Sequence, residues 1–241
     1  MRLDVFIAES GLAKSRTDAK NFILGGHVRV DGKMVVKPSL EVSPEERVEV
    51  DTSSKKYVSR GGLKLEAALD AFVIDPRGKR CIDVGASSGG FTDCLLQRGA
   101  ASVVAVDSGS GQMAESLRRD SRVVTVENYN ARYMKGEDVG GDFELAVMDV
   151  SFISATYIIG ALRGVLAAGA DFVLLVKPQF EVGRASLGKG GIVKDEKARL
   201  SALKKVVDFA GENGFSVLGS IKSPITGGDG NTEFLVHFKA R

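Results

Sequence analysis

Apolar and polar residues alternate along this chain with two periods, and the places where the period changes mark out its elements. Near the amino end Leu3, Val5, Phe6 and Ile7 give a first helix an apolar face. Ser15 stands ahead of Arg16-Thr17-Asp18 as an N-cap with an acid three positions on. A second helix therefore runs over about 16–24 and ends at Gly25-Gly26. His27 to Asp31 then alternates, Gly32 turns, and Met34-Val35-Val36 returns as the second arm of a hairpin. Pro38 ends the hairpin, and Arg47-Val48-Glu49-Val50 is a further short strand. Lys55 to Gly62 reads as a linker, followed by a helical pattern carrying Leu63, Leu65, Ala67, Ala68, Leu69 and Phe72.

From Arg80 onward strands and helices take turns. Strands are expected at 80–84, 102–107, 122–126, 143–149 and 171–177, and helices at 90–98, 111–119, 155–167 and 195–212. Such alternation specifies a parallel, doubly wound α/β sheet. The last two strands, about 215–221 and 232–239, follow one another without a helix, which calls for an antiparallel strand at or near an edge. The expected organisation is a small domain over 1–55, a linker over 56–62 and a large domain over 63–241.

Composition adds exclusions. At 241 residues the chain has room for one large domain or two unequal ones. Two cysteines, Cys81 and Cys94, without a CxxC pair, and two histidines, His27 and His237, argue against a disulfide scaffold and against a metal site. The amino end has no apolar run that would make a signal peptide, and stretches such as Phe172–Val176 fall far short of a membrane span. A reducing cytoplasm is the expected compartment.

Charge changes the picture only locally. The total of 33 basic and 31 acidic residues makes no case for nucleic acid. Residues 1–37, however, hold seven basic side chains (2, 14, 16, 20, 29, 33 and 37) against four acidic ones, while residues 38–51 hold five acidic against one basic. Arg16 and Lys20 share a helix face, and that face abuts a hairpin bearing Arg29 and Lys33.

The first strand of the large domain runs into Asp83-Val84-Gly85-Ala86-Ser87-Ser88-Gly89-Gly90-Phe91, at the carboxyl edge where doubly wound folds bind ligands. The pattern is neither GxGxxG nor a P-loop. Asp83 would repel a pyrophosphate and suits a ligand with an amine. Asp107 ends the next strand, where an acid can meet ribose hydroxyls. A nicotinamide dinucleotide and S-adenosylmethionine both remain open on these residues, and the missing GxGxxG together with Asp83 favours the methyl donor.

The segment 83–93 resembles motif I of the hemolysin A (TlyA) family, which belongs with the RrmJ/FtsJ-like ribosomal RNA 2′-O-methyltransferases. Lys56–Leu65, Met148–Ser154, Val176–Glu181 and Gly230–Phe234 match the family in the same order. The N-terminal segment resembles an S4 RNA-binding domain. The resemblance implies a Rossmann-like class I methyltransferase with a mostly parallel seven-stranded sheet and a small α+β S4-like domain. It implies S-adenosyl-L-methionine as cofactor and ribosomal RNA or a ribosomal subunit as partner, with no metal and no membrane. The family's Lys-Asp-Lys-Glu group falls on Lys64, Asp149, Lys177 and Glu233. Lys177 is then the base or alkoxide stabiliser, Asp149 its orienting partner, and Lys64 and Glu233 hold the ribose and the lysine.

The resemblance further sets Asp83, Gly85, Ser88, Gly89 and Phe91 around the methionine part of the donor, Asp107 at the ribose, and Asn130-Ala131-Arg132 beside the adenine. Ser110 stands where a larger, commonly aromatic residue is expected. Arg2, Arg16, Lys20, Arg29, Lys33 and Arg60 are the RNA-binding candidates. The extent of the chain resembles the family's shorter form, which implies a cytidine of 23S-type rRNA. Two rivals are weighed against this. A haemolysin or pore former lacks a membrane-length span and barrel-like alternation. An RNA-binding module with a silent methyltransferase domain conflicts with a complete set of four catalytic residue types.

Overall fold

The computed structural model describes residues 1–13, 15–51, 56–183, 186–227 and 230–241. The chain forms two compact units, Met1–Arg60 and Gly61–Arg241.

In the first unit α1 (Leu3–Glu9) and α2 (Arg16–Leu24) pack over a three-stranded sheet of β1 (Val28–Val30), β2 (Lys33–Met34) and β3 (Val48–Val50). The strand order is β2-β1-β3, antiparallel throughout. Ser15 does cap α2: its side chain accepts from the Asp18 N–H at 3.1 Å. Leu3, Ile7, Ala19, Phe22 and Ile23 from the helices meet Val28 and Val30 in one small core. The return arm of the hairpin is shorter than its sequence suggests, because Val36 is half exposed and gains little by pairing.

The second unit opens with α3 (Gly61–Phe72), which begins at Gly61 rather than after the Gly-Gly pair. Then follow β4 (Arg80–Val84), α4 (Gly90–Gln97), β5 (Ser102–Val106), α5 (Glu115–Arg118), β6 (Val123–Val126), α6 (Gly136–Val139), β7 (Phe143–Met148) and α7 (Thr156–Arg163). The chain ends with β8 (Leu166–Val176), α8 (Pro178–Glu181), α9 (Glu196–Glu212), β9 (Phe215–Lys222) and β10 (Phe234–Ala240). The strands order as β6-β5-β4-β7-β8-β10-β9. The run from β6 to β8 is parallel, and β10 lies antiparallel between β8 and β9. This is the parallel, doubly wound sheet expected from the alternation, and the Rossmann-like, mostly parallel seven-stranded sheet that the resemblance implies.

The central strands β4, β5, β7 and β8 are buried on both faces, so they read as continuous apolar runs. Two helices differ from expectation. The helix sought over 111–119 keeps only Glu115–Arg118, and residues 108–112 instead loop over the end of β5. The helix sought over 155–167 stops at Arg163, capped by Gly164, and β8 begins at Leu166. β10 packs Phe238 against Phe172 of β8 and Phe215 of β9, with ring centroids 5.4 and 6.1 Å apart.

Candidate active site

Parallel strands deliver their carboxyl ends to one edge, and the chemistry-bearing residues gather there. Asp149 follows β7, and its N–H donates to the Val84 carbonyl at 3.0 Å, which sets it beside the turn after β4. Lys177 follows β8. Because Phe234 pairs with Val176, Glu233 enters β10 at the same level as Lys177. Lys64 comes from the first turn of α3, where it points inward with Leu65 and Ala68 while Leu63 turns outward.

The four residues form two ion pairs of different character. Lys64 Nζ donates to Glu233 Oε2 at 2.5 Å, and both side chains are almost wholly buried. Gly227 has a packing reason to be glycine, since a Cβ there would stand 2.5 Å from Glu233 Oε1. Lys177 Nζ lies 2.5 Å from Asp149 Oδ1, and these side chains retain 12% and 22% of their exposure, so a substrate can reach them. The Lys177 ammonium also donates to Ser151 Oγ at 2.7 Å. Among the described residues Asp149 Oδ1 accepts no directed hydrogen bond, so its contact with Lys177 is an ion pair set by distance.

Beside these pairs lies a cleft of about 450 Å³ lined by Gly85, Ser87, Asp107, Tyr129, Asn130 and Ala131, and also by Asp149 and Ser151. Its floor requires Gly85: φ is +85°, and a Cβ would stand 2.5 Å from the Asp149 carbonyl oxygen. Asp107 accepts from the backbone N–H of Ser87 at 2.8 Å and of Gly109 at 2.7 Å. Each carboxylate oxygen has a second lone pair, so ribose hydroxyls can still be received. Of the cofactor-binding candidates named from sequence, Gly85, Asp107, Asn130 and Ala131 line this cleft, as does the catalytic candidate Asp149.

Asp83, Gly89 and Phe91 lie buried and Ser88 partly buried behind it, and Ser110 is exposed outside it, with Gln112 at the wall instead. Asp83 is fully buried; Thr92 Oγ1 donates to its Oδ2 at 2.7 Å, and Oδ1 has no hydrogen-bond partner among the described residues. Burial, reinforced by the charges of Asp149 and Asp107, pushes its carboxyl up to about 7. Arg132 does not line the cleft with its two neighbours. Ser151, Gln112, Tyr129 and Thr92 were not singled out from sequence. Ser151 and Thr92 fall inside the matched motifs, which is the signal that could have raised them.

In the first unit Arg2 and Arg16 both converge on the buried Asp4, each through Nε at 3.0 Å. Hydrogen bonding from Arg2 is the largest cause that lowers the Asp4 carboxyl to about 2. Lys20 and Lys33 are exposed, Arg29 donates to the Gly32 carbonyl, and Arg60 is partly buried. Lys14 of the basic arm and Gly228-Asp229 of the turn before Glu233 lie outside the described residues.

Comparison with known proteins shows the family. The family model for FtsJ-like methyltransferases matches residues 57–240, and that for the S4 domain matches residues 1–48. The chain is 46% identical to the 16S/23S rRNA (cytidine-2′-O)-methyltransferase TlyA of Mycobacterium tuberculosis, over 100% of this chain and 90% of the relative. It is 41% identical to hemolysin A of Brachyspira hyodysenteriae over 99% of both. A solved Streptococcus thermophilus structure is 43% identical with a TM-score of 0.79, covering 100% of this chain and 88% of that one.

Proposed function

We propose, for a chain that belongs to the FtsJ-like methyltransferase family and carries an S4 domain, that it methylates the ribose 2′-hydroxyl of a cytidine in ribosomal RNA. The observation that carries this reading is the Lys177–Asp149 pair, partly open and sharing the Asp149 wall with the 450 Å³ cleft. The full-length similarity to a cytidine-2′-O-methyltransferase supports the substrate.

The cleft suits S-adenosyl-L-methionine. Asp107 has lone pairs left for ribose hydroxyls, Asn130 and Ala131 wall the adenine end, and the Gly85 turn lets the backbone close on the methionine part. When bound, this cofactor supplies a methyl group already activated on a sulfonium. What remains for the protein is alignment and the fate of one proton.

Once its own proton has passed to water, Lys177 Nζ as the neutral amine takes the proton that the 2′-hydroxyl loses as the methyl carbon bonds to the oxygen, and this restores the ammonium that pairs with Asp149 at 2.5 Å. Ser151 fixes the lysine's rotamer through its hydroxyl. Lys64 and Glu233, dry and locked to each other, hold one wall of the ribose site. Lys20 and Lys33, with Arg2, Arg16, Arg29 and Arg60, supply positive charge for the RNA backbone.

The test is methylation of a 23S-type rRNA fragment by the purified protein with a labelled methyl donor. Lys177→Ala is expected to abolish transfer while cofactor binding, followed by calorimetry, persists. Full activity in that variant removes Lys177 from this role.

A further inference from the structure

A second cleft of about 570 Å³ lies next to the first, and Phe152 and Ile153 line both. Its other walls are Arg132, Tyr157, Phe180 and Lys205. The aromatic rings are unusually open for a folded domain: Phe152 is 92% exposed and Tyr157 61%. The Phe152 and Phe180 rings stand 5.2 Å apart, and the Arg132 guanidinium lies over the Tyr157 ring at 4.6 Å. Phe152 also holds a left-handed backbone, φ +64°, which a bulky residue adopts only where its surroundings impose it.

The charge of this cleft is positive where it is open. Among the described residues Glu181 is its one acid, but its carboxylate is buried and already accepts from the Ala155 N–H at 2.8 Å and from Ser154 Oγ. Lys205 Nζ sits 4.0 Å from it and donates to the Glu181 carbonyl, with more than half of its side chain exposed. Flat aromatic and guanidinium surfaces beside exposed cations recognise stacked bases and the phosphates that join them.

We infer that this second cleft is a nucleotide subsite of the enzyme, taking the RNA nucleotide adjacent to the one that is methylated. Its base stacks on Tyr157 and Phe180, and its phosphate meets Arg132 and Lys205. The inference rests on reading the chain as an RNA ribose methyltransferase. Phe152, common to both clefts, then stands between the cofactor and this neighbouring nucleotide. The subsite makes selection depend on a single-stranded neighbour, because a base paired in a duplex cannot lie on Tyr157.

The chain contains no tryptophan, so Tyr157→Trp places a lone reporter in the cleft. Titration with a short single-stranded oligocytidylate is expected to quench its emission. Tyr157→Ala is expected to raise the KM for the rRNA fragment by roughly 5- to 150-fold, the range for losing one base stack. Cofactor affinity should stay unchanged, and Tyr157→Phe, which keeps the ring, should restore KM. Unquenched emission with oligocytidylate, or a wild-type KM in Tyr157→Ala, overturns the subsite. Quenching by oligocytidylate in a protein whose parent methylates no RNA leaves the subsite standing and overturns the methyltransferase reading instead.

Discussion

Lys64 and Glu233 are held in nearly dry surroundings by one short ion pair, and this makes their contributions to folding and to chemistry separable. Removing one partner leaves the other charge buried alone, at a cost of about 3–5 kcal/mol. Lys64→Met alone should therefore lower stability by about that much in a denaturant titration, whereas Lys64→Met with Glu233→Leu should recover much of it and remain inactive. Asp83 offers a second test. Its folded carboxyl is raised to about 7 from an ordinary 3.8, so the folded state holds a proton that the unfolded state has released. Its contribution is complete below pH 3.8 and is lost as pH rises through about 7. Thermal melts should show wild type losing stability relative to Asp83→Asn as pH increases from 4 to 7. Asp4 runs the opposite way: lowered to about 2, its contribution is present above pH 3.8 and disappears as pH falls through 2. The four positions proposed for catalysis could be named from sequence because the resemblance sets each of them in a separate motif. Ser151 and Thr92 were not, because a hydroxyl's partner depends on which loop it faces, and no periodicity records that.

At the scale of elements, the sequence pattern located the strands well because each central strand is an apolar run bounded by polar or glycine residues. Helix ends were harder, because Gly111 and Gln112, expected in the helix over 111–119, belong to a loop. Residues 108–112 are drawn off to cover the Asp107 carboxylate through the Gly109 N–H, and Gln112 reaches the cleft wall. Leu166 and Ala167, expected at the end of the helix, instead open the long β8. The turn between β4 and α4 is the element on which the cleft depends most. Gly85→Ala places a Cβ against the Asp149 carbonyl in a left-handed backbone, a strain of about 1–3 kcal/mol. The expected result is a measurable loss of stability together with weaker cofactor binding by calorimetry, since the clash falls on the cleft floor itself.

For the whole molecule, the near balance of charge is the sum of a basic amino-terminal arm, an acidic stretch after it and a mixed catalytic unit. Among the described residues no helix is long and apolar enough to cross a membrane. If Lys20 and Lys33 meet phosphates, Lys20→Ala with Lys33→Ala should make the salt dependence of RNA binding shallower by about two. Cofactor affinity, a property of the other unit, should not move. The most direct measurement of the central claim maps ribose 2′-O-methyl groups on rRNA from a strain lacking this protein, from its parent and from the strain restored with Lys177→Ala. The account predicts a methylated cytidine present in the parent and absent from the other two. An unchanged methylation map in the deletion strain would contradict it.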